Sequence, residues 1–379
     1  MAISEINDKS LAASAVNLAT TTVTGILPAA NTVANLSPGN NLIINGAMQV
    51  AQRTTSVTGV GNNVFMVDRF SYERAGGGIT AAFNSEQSTD APSGFAYSLK
   101  MTATTGQTLG SSGGRYINAG YTIEGYDASS LIDSQGTFTL SFYVKMSNTG
   151  DYSVLFKPSR HDVSTYASEF TVNSANTWEK KTVTVTISTA YGTWNTTTGA
   201  GLHIKFVLDA DDDVSTASNN AWVNTNSYGA QGQEHGNVTT NATFQFAGVQ
   251  LESGTVATPF NYRSYGQELA LCQRYYQTFG GGNAYETVCL GVTRTSSDVR
   301  YQLLFSSDMR ASPTLVIIGS WRSLGTNIVS IVNANMAINT YSTRGVDLLL
   351  TTNGHVAGQS YLLNPDNDVT ARLQFSAEL

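Results

Sequence analysis

The chain has 379 residues, 41% of them hydrophobic and only 12% charged, with 18 Tyr, 15 Phe and 4 Trp. This length suffices for two or three domains with substantial hydrophobic cores, and the aromatic content argues against intrinsic disorder. A net charge of −7, with no basic cluster larger than Lys180-Lys181, argues against nucleic acid as a partner.

Residues 1–40 differ from the rest because they are rich in Ala, Ser, Thr and Asn and contain no aromatic residue. They hold more isolated apolar residues than a linker needs, but too few to fold alone. We therefore expect an N-terminal arm that attaches to another chain or supports trimerisation. The start has no basic and apolar run of the kind that makes a signal peptide, and no stretch approaches a membrane span of ~20 apolar residues.

Residues 41–262 alternate apolar and polar side chains with a period of two, which is typical of antiparallel strands with one buried face. Gly-, Ser- and Asn-rich turns separate the runs. This pattern predicts an all-β domain, a β-sandwich of jelly-roll type. The predicted strands are 96–102, 115–123, 137–146, 152–157, 181–187, 202–208 and 244–251.

Residues 263–283 are predicted to form a helical connector, with a helix over 263–278 that ends before Gly280, Gly281 and Gly282. Residues 284–379 are predicted to form a second, smaller β-sandwich. Its predicted strands are 285–293, 299–305, 314–318, 328–332, 346–351 and 372–375. The two cysteines, Cys272 and Cys289, are expected to be buried thiols, with a single disulfide as the alternative.

Several blocks of the sequence resemble a family of bacteriophage tail-fibre and receptor-binding proteins. One block, residues 41–53 (NLIINGAMQVAQR), is followed at 67–70 by VDRF. A second covers 247–254 (AGVQLESG), 257–260 (ATPF) and 268–276 (ELALCQRYY). The others are 309–314 (MRASPT), the final SAEL and the arm segment 24–31 (TGILPAAN).

The resemblance implies a virion tail component, assembled as a homotrimer and made in the host cytoplasm, with sandwich domains similar to carbohydrate-binding modules. Its arm would dock on other phage tail or fibre proteins. The matching residues look structural, since Leu251, Phe260 and Leu271 are expected in cores and Arg53, Asp68 and Arg69 at turns and strand ends. The resemblance therefore assigns no ligand site.

No catalytic signature is present, so we do not expect an enzyme. The four His and two Cys show no metal-ligand spacing, and no Gly-x-Ser-x-Gly elbow occurs. Glu234-His235 is better explained as a solvated loop than as an acid/base pair. A polysaccharide-cleaving site would need two carboxylates about 5–10 Å apart, and sequence alone brings no two together.

Three acidic residues that follow a strand, Asp209, Asp211 and Asp213, are a candidate calcium site, because Ca²⁺ takes six to eight oxygen ligands. The alternative is a solvated acidic loop. A structural calcium is therefore the one candidate cofactor.

Large aromatic residues in polar loops are the main functional clue, because flat rings stack on the apolar faces of sugars. Tyr191, Trp194, Trp222 and Tyr228 lie in such loops and are candidate glycan-binding residues. Burial against the sheet or against a trimer partner is the alternative. In the last domain Trp321 is a further candidate, and Tyr285, Arg322, Tyr341 and Arg344 are also of interest.

The sequence thus predicts a phage fibre component that binds host surface polysaccharide by repeated weak contacts. The alternatives are a purely structural virion protein, such as a fibre adaptor or capsid decoration, and a polysaccharide-degrading enzyme.

Overall fold

The computed structural model describes residues 41–110, 112–235 and 237–379, which belong to one compact unit. The predicted arm, residues 1–40, lies outside the described residues. Within these residues, no helix is long and apolar enough to cross a membrane.

The first part of the described chain is a β-sandwich with one short helix. Its strands are β1 (Ser56–Val57), β2 (Val64–Phe65), β3 (Phe70–Ala75), β4 (Ala82–Ser88), β5 (Ser98–Thr105), β6 (Tyr116–Glu124), β7 (Thr137–Met146), β8 (Gly150–Lys157), β9 (Thr165–Val172), β10 (Glu179–Thr186), β11 (Ala200–Ala210), β12 (Ala221–Val223) and β13 (Thr243–Ser253). The helix α1 (Gly125–Asp133) follows β6, and a 3₁₀ turn (Asp212–Val214) follows β11.

Two antiparallel sheets pack face to face in this first sandwich. The six-stranded sheet has the order β1-β4-β5-β13-β7-β10, and the seven-stranded sheet has the order β12-β9-β8-β11-β6-β3-β2. The alternating residues of β7 point into the core, where the Phe142 ring lies 5.1 Å from Phe206 and 5.2 Å from Phe170 of the opposite sheet. Burial of apolar side chains such as these is the dominant favourable term in the folding of such a domain.

The seven-stranded sheet is buried on both faces. Every residue of β6 and all but the first of β11 are buried. The segment that follows β11 folds back over the outer face and packs Ala217 and Ala230 against Leu155 and Val207. The segment that carries the predicted polar loops with Trp222 and Tyr228 therefore covers this sheet.

A short helix and a second, smaller sandwich follow. The elements are α2 (Tyr265–Gln273), β14 (Tyr276–Gly280), β15 (Cys289–Thr295), β16 (Asp298–Leu304), β17 (Thr314–Ile318), β18 (Trp321–Leu324), β19 (Ile328–Ile331), a 3₁₀ turn (Asn333–Asn335), β20 (Met336–Tyr341), β21 (Gly345–Thr351), β22 (Ser360–Pro365) and β23 (Arg372–Ser376). A three-stranded sheet, β14-β23-β17, packs on a seven-stranded sheet, β19-β18-β22-β15-β16-β21-β20, around a core that includes Tyr301, Trp321 and Phe375.

The predicted all-β sandwich fold is confirmed, and the predicted helix needs correction. Helix α2 begins at a capping box, in which the Ser264 side chain accepts from Gln267 N–H, and it ends at Gln273. Residues 276–280 form strand β14 instead, because they pair with β23 from the end of the chain. Helix α1 was not predicted. Both cysteines are free thiols, Cys272 buried and Cys289 half-buried.

Ion pairs with buried carboxylates connect the two sandwiches. Arg69 forms a salt bridge with Glu378, and its guanidinium carbon lies 3.5 Å from the centroid of the Tyr275 ring. Arg274 donates two 2.8 Å hydrogen bonds to Glu124 of the first sandwich. Because such charges are stable in a core only when paired, these contacts fix the sandwiches to one another. We call this region the joint.

Candidate functional site

Four aromatic side chains gather where the two sheets of the first sandwich reach the same edge. Trp222 lies on the edge strand β12, opposite Tyr166 of β9. The Trp222 ring is 5.5 Å from Tyr166, 5.5 Å from Trp194 and 6.3 Å from Tyr191, measured between ring centroids. We call Tyr166, Tyr191, Trp194 and Trp222 the edge cluster.

Main-chain carbonyls hold the two indole rings of the edge cluster in place. Trp222 Nε1 donates a 2.8 Å hydrogen bond to the carbonyl of Thr186, at the end of β10 in the opposite sheet. Trp194 Nε1 donates to the carbonyl of Tyr191 at 2.8 Å. With the N–H groups satisfied and the rings half-buried, what remains for a ligand is the flat ring surface. That surface suits stacking on the apolar face of a sugar.

The loop that presents Tyr191 and Trp194 has a fixed shape. Asp162 accepts hydrogen bonds from the backbone N–H of Thr193 at 3.0 Å and of Ser164 at 2.7 Å. Gly192 has φ +71°, and a Cβ there would lie 2.5 Å from Pro158 Cγ and 2.7 Å from Asp162 Oδ1. Only glycine fits this position, so the rings are set by a rigid turn.

Side-chain amides flank the edge cluster. Asn220 Oδ1 accepts from Ser168 Oγ at 2.8 Å, and Asn224 Oδ1 accepts from Ser164 Oγ at 2.7 Å. These bonds orient both amides and leave the Nδ2 groups without a hydrogen bond to any described residue. Amide donors beside flat rings are the combination that binds sugar hydroxyls.

Sequence reasoning thus selected three members of the edge cluster, Tyr191, Trp194 and Trp222, and missed Tyr166. Tyr166 is almost fully buried in a strand and has no sequence signal that separates it from a core residue. Tyr228 lies elsewhere. It stacks on Tyr116 at 3.9 Å under the cover of the seven-stranded sheet, and it was selected only because its loop looked exposed.

The prediction for Trp321 is wrong. Its side chain is 1% exposed in the core of the second sandwich, and Nε1 donates to the carbonyl of Ile318 at 2.8 Å. It is therefore not accessible to a sugar. Of its predicted neighbours, Arg322 lies 4.5 Å over the half-exposed Tyr285 ring, whereas Tyr341 and Arg344 are exposed elsewhere on the domain, beside a small cavity.

The three aspartates of the candidate calcium site serve other partners. Asp211 accepts from the Arg115 guanidinium at 2.7 and 2.9 Å, and although burial opposes ionisation, these hydrogen bonds lower the pKa of Asp211. Asp213 accepts from Gly113 N–H at 3.0 Å, and Asp209 accepts from Ala210 N–H at 2.9 Å. The described residues contain no group of three or more His, Cys, Asp or Glu side chains able to hold a metal ion. The structure therefore does not support the predicted site.

A buried ion cluster on the outer face of the seven-stranded sheet was not predicted. Glu73 lies 3.0 Å from Lys205, 3.1 Å from Arg160 and 3.3 Å from His203. Burial opposes ionisation of Glu73, but these neighbours hold its pKa well below the usual range. Burial also lowers the pKa of His203 to about 4. A carboxylate of such low proton affinity is a poor general acid or base near neutral pH, so the cluster is structural.

Comparison with known proteins gives no relative by sequence: no family model matches the chain, and no curated protein is similar to it. Among solved structures, a family 11 carbohydrate-binding module from Clostridium thermocellum is 11% identical over 52% of this chain and 97% of its own, with a TM-score of 0.27. A CBM4 structure is 16% identical over 55% of this chain and 98% of its own, with a TM-score of 0.28.

The enzymatically active domain of tailspike protein 4 of bacteriophage CBA120 is 10% identical over 56% of this chain and 21% of its own, with a TM-score of 0.29. TM-scores this low do not establish a shared fold. The fold described above rests on the strands of this chain alone.

Proposed function

We propose that this chain is a component of a bacteriophage tail fibre that binds a host surface glycan, and that it is not an enzyme. The observation that carries the binding proposal is the edge cluster, where rigid aromatic faces lie beside two unbonded amide donors. Shallow sites of this kind bind sugars weakly, and repetition of the site supplies useful attachment.

The fibre proposal is supported by where the family-like sequence blocks meet. Asn45, in the first block, bonds through its side chain to Val50 and to the carbonyl of Asp68 in the next block. Its backbone N–H donates to Glu268 of the block that forms α2. Arg69 and Glu378 then link these blocks to the last residues of the chain. Blocks far apart in sequence therefore build one structural unit, the joint.

We propose a homotrimer, with the second sandwich as the part that assembles. Eleven of the sixteen exposed large hydrophobic side chains in the described part of the chain lie in residues 276–379. Leu290, Val292 and Leu304 are exposed on β15 and β16, around a cavity of about 820 Å³ that is also lined by Arg300, Gln302 and Asp347. Exposed aliphatic surfaces of this kind mark protein interfaces. Residues 1–40 would attach the trimer to other tail proteins in the virion.

Glycan binding is tested on an array of bacterial surface polysaccharides with the purified chain. Trp222→Ala should lose about fivefold or more in affinity, because one stacked ring contributes on the order of 1 kcal/mol or more. Trp222→Phe should keep part of the binding because it keeps an aromatic face. Tyr126→Ala, which removes an exposed tyrosine on α1, is the matched control. Equal binding by all four proteins would exclude the edge cluster, and release of reducing ends would indicate an enzyme.

A further inference from the structure

A second aromatic site lies on the outer face of the six-stranded sheet, away from the edge cluster. It is a groove with a cavity of about 260 Å³, which is room for about one sugar residue. Its aromatic lining comes from Phe95, Tyr143, Phe260 and Tyr262, and its polar lining includes Ser141 and Lys180. We call it the sheet-face groove.

Two loops that cross the sheet build the aromatic wall of the groove. The Phe95 ring lies 5.0 Å from Phe260 and 5.6 Å from Tyr143, and Phe260 lies 4.8 Å from Tyr262. The Tyr262 hydroxyl donates to the carbonyl of Gly94 at 2.9 Å, which ties one loop to the other. The aromatic wall is therefore preformed in the absence of a ligand, although Tyr262 is 52% exposed.

A bulge in strand β13 makes the close approach of Phe95 to the sheet possible. Gly248 has φ +57°, and a Cβ at this position would lie 2.5 Å from Phe95 Cζ. The register between β13 and β7 shifts between Ala247 and Gln250, around this glycine. The groove thus depends on a glycine whose conformation other residues adopt only with strain.

Lys180 gives the groove its charge. It lies opposite Tyr143 in the pairing of β10 with β7, and its ammonium group makes no ion pair or hydrogen bond with any described residue. Two other lysines on the same sheet face are paired: Lys145 with Asp90 at 2.8 Å and Lys100 with Glu86 at 2.8 Å. A single uncompensated ammonium group beside aromatic rings and hydroxyls favours a ligand with one negative charge.

We infer that the sheet-face groove binds an acidic sugar residue of the uronic acid class. The pyranose ring stacks on the aromatic wall, and its carboxylate pairs with the Lys180 ammonium. The Ser141 hydroxyl supplies a hydrogen-bonding partner for a hydroxyl group of the sugar. This site extends the proposed glycan binding to a charged residue of the polysaccharide, and it does not depend on the edge cluster.

The inference is tested by titration calorimetry with oligogalacturonate and with the same oligomer as its methyl ester, which keeps the rings and removes the charge. Oligomers of glucuronate and mannuronate extend the series. The wild-type chain should bind one acidic oligomer up to about fivefold more tightly than its ester, as one solvent-exposed charge pair predicts. Lys180→Gln should abolish this preference, and Lys100→Gln, on the same sheet face, should retain it.

The remaining outcomes separate this site from the edge cluster. Tyr143→Ala should weaken the binding of the acidic oligomer and of its ester to the same extent, because it removes a stacking surface and no charge. Trp222→Ala should leave the preference for the acid intact, whatever it does to other glycans. Binding of no acidic oligomer, or an equal loss in Lys180→Gln and Lys100→Gln, would overturn the inference. Unfolding transitions of each variant confirm that it is folded.

Discussion

The two sandwiches of this chain differ in whether the outer face of the seven-stranded sheet is covered. In the first, the segment after β11 covers the seven-stranded sheet, and the covered face holds a buried ion cluster around Glu73. In the second, the seven-stranded sheet exposes Leu290, Val292 and Leu304. Exposed aliphatic side chains on a sheet face are typical of protein interfaces. This difference is the basis of our proposal that the second sandwich is the part that assembles.

The largest effect is expected from substitutions that prevent the proposed trimer from assembling. Val292→Asp combined with Leu304→Asp should convert the proposed trimer to a monomer, because two charges would have to enter the proposed interface. Light scattering after size-exclusion chromatography measures the mass. Val163→Asp with Val256→Asp, at positions equally exposed on the first sandwich, should leave the mass unchanged. A trimer that survives the first pair would contradict the assignment of the assembling face.

Removal of one partner from the joint should be the largest effect on stability. Glu378→Gln leaves Arg69, whose side chain is 1% exposed, without its charged partner. We expect a loss of about 3–5 kcal/mol in the free energy of unfolding, measured by urea denaturation. Glu86→Gln, which breaks a surface pair with Lys100, should cost less than about 1 kcal/mol. Similar losses in both variants would show that the joint is no more than a surface contact.

The ion cluster under the cover predicts a pH dependence of stability. Burial lowers the pKa of His203 to about 4 from its ordinary value of 6.5, so the unfolded chain binds a proton between these values and the folded chain does not. Stability is therefore retained above pH 6.5 and lost as the pH falls towards 4. Between pH 7 and pH 5 this group should cost about 2 kcal/mol. Urea denaturation at both pH values should show a smaller loss in His203→Gln, and an equal loss would contradict the assignment.

A smaller effect on stability is expected from a substitution in the loop that presents Tyr191 and Trp194. Gly192→Ala places a methyl group against Pro158 and Asp162, whereas Gly59, at φ +64°, has no atom within 4 Å of such a group. Both variants incur the cost of a side chain at positive φ. The difference between their stabilities therefore isolates the cost of the steric clash at Gly192. Thermal unfolding should show Gly192→Ala less stable than Gly59→Ala by about 1 kcal/mol, with weaker glycan binding. Equal stability would mean that the loop is not rigid.

The sequence predicted those strands whose two faces differ in polarity. The ranges 137–146 and 314–318 agree with β7 and β17 at both ends. Strand β9 was missed because Ala167 and Ser168 interrupt the alternation of Tyr166, Phe170 and Val172, and β18 because four residues are too few to show a period. Trp321, on β18, was misassigned for the same reason. Tyr275 and Tyr276 continue the helical spacing of α2, and only the distant pairing with β23 shows that the helix has ended.

The sequence predicted the candidate binding residues that can be recognised within a single loop, and it missed those that the fold brings together from distant segments. Tyr191 and Trp194 stand out because they are large aromatics in a polar loop, and Trp222 stands out in the same way. The sheet-face groove was missed because Phe95 and Tyr262 are far apart in the chain and meet only through the sheet. The same holds for Glu73 and Lys205, whose pairing depends on the order of strands.

We propose above all that the assembled chain binds a host surface glycan through the edge cluster. Adsorption of the fluorescently labelled chain to susceptible cells, and to mutants without surface polysaccharide, tests it most directly. The wild-type chain should bind only the polysaccharide-bearing cells, soluble polysaccharide should compete, and Trp222→Ala should adsorb at least about tenfold less. A trimer that ignores every cell, or a Trp222→Ala variant that adsorbs as well as the wild type, would contradict the account.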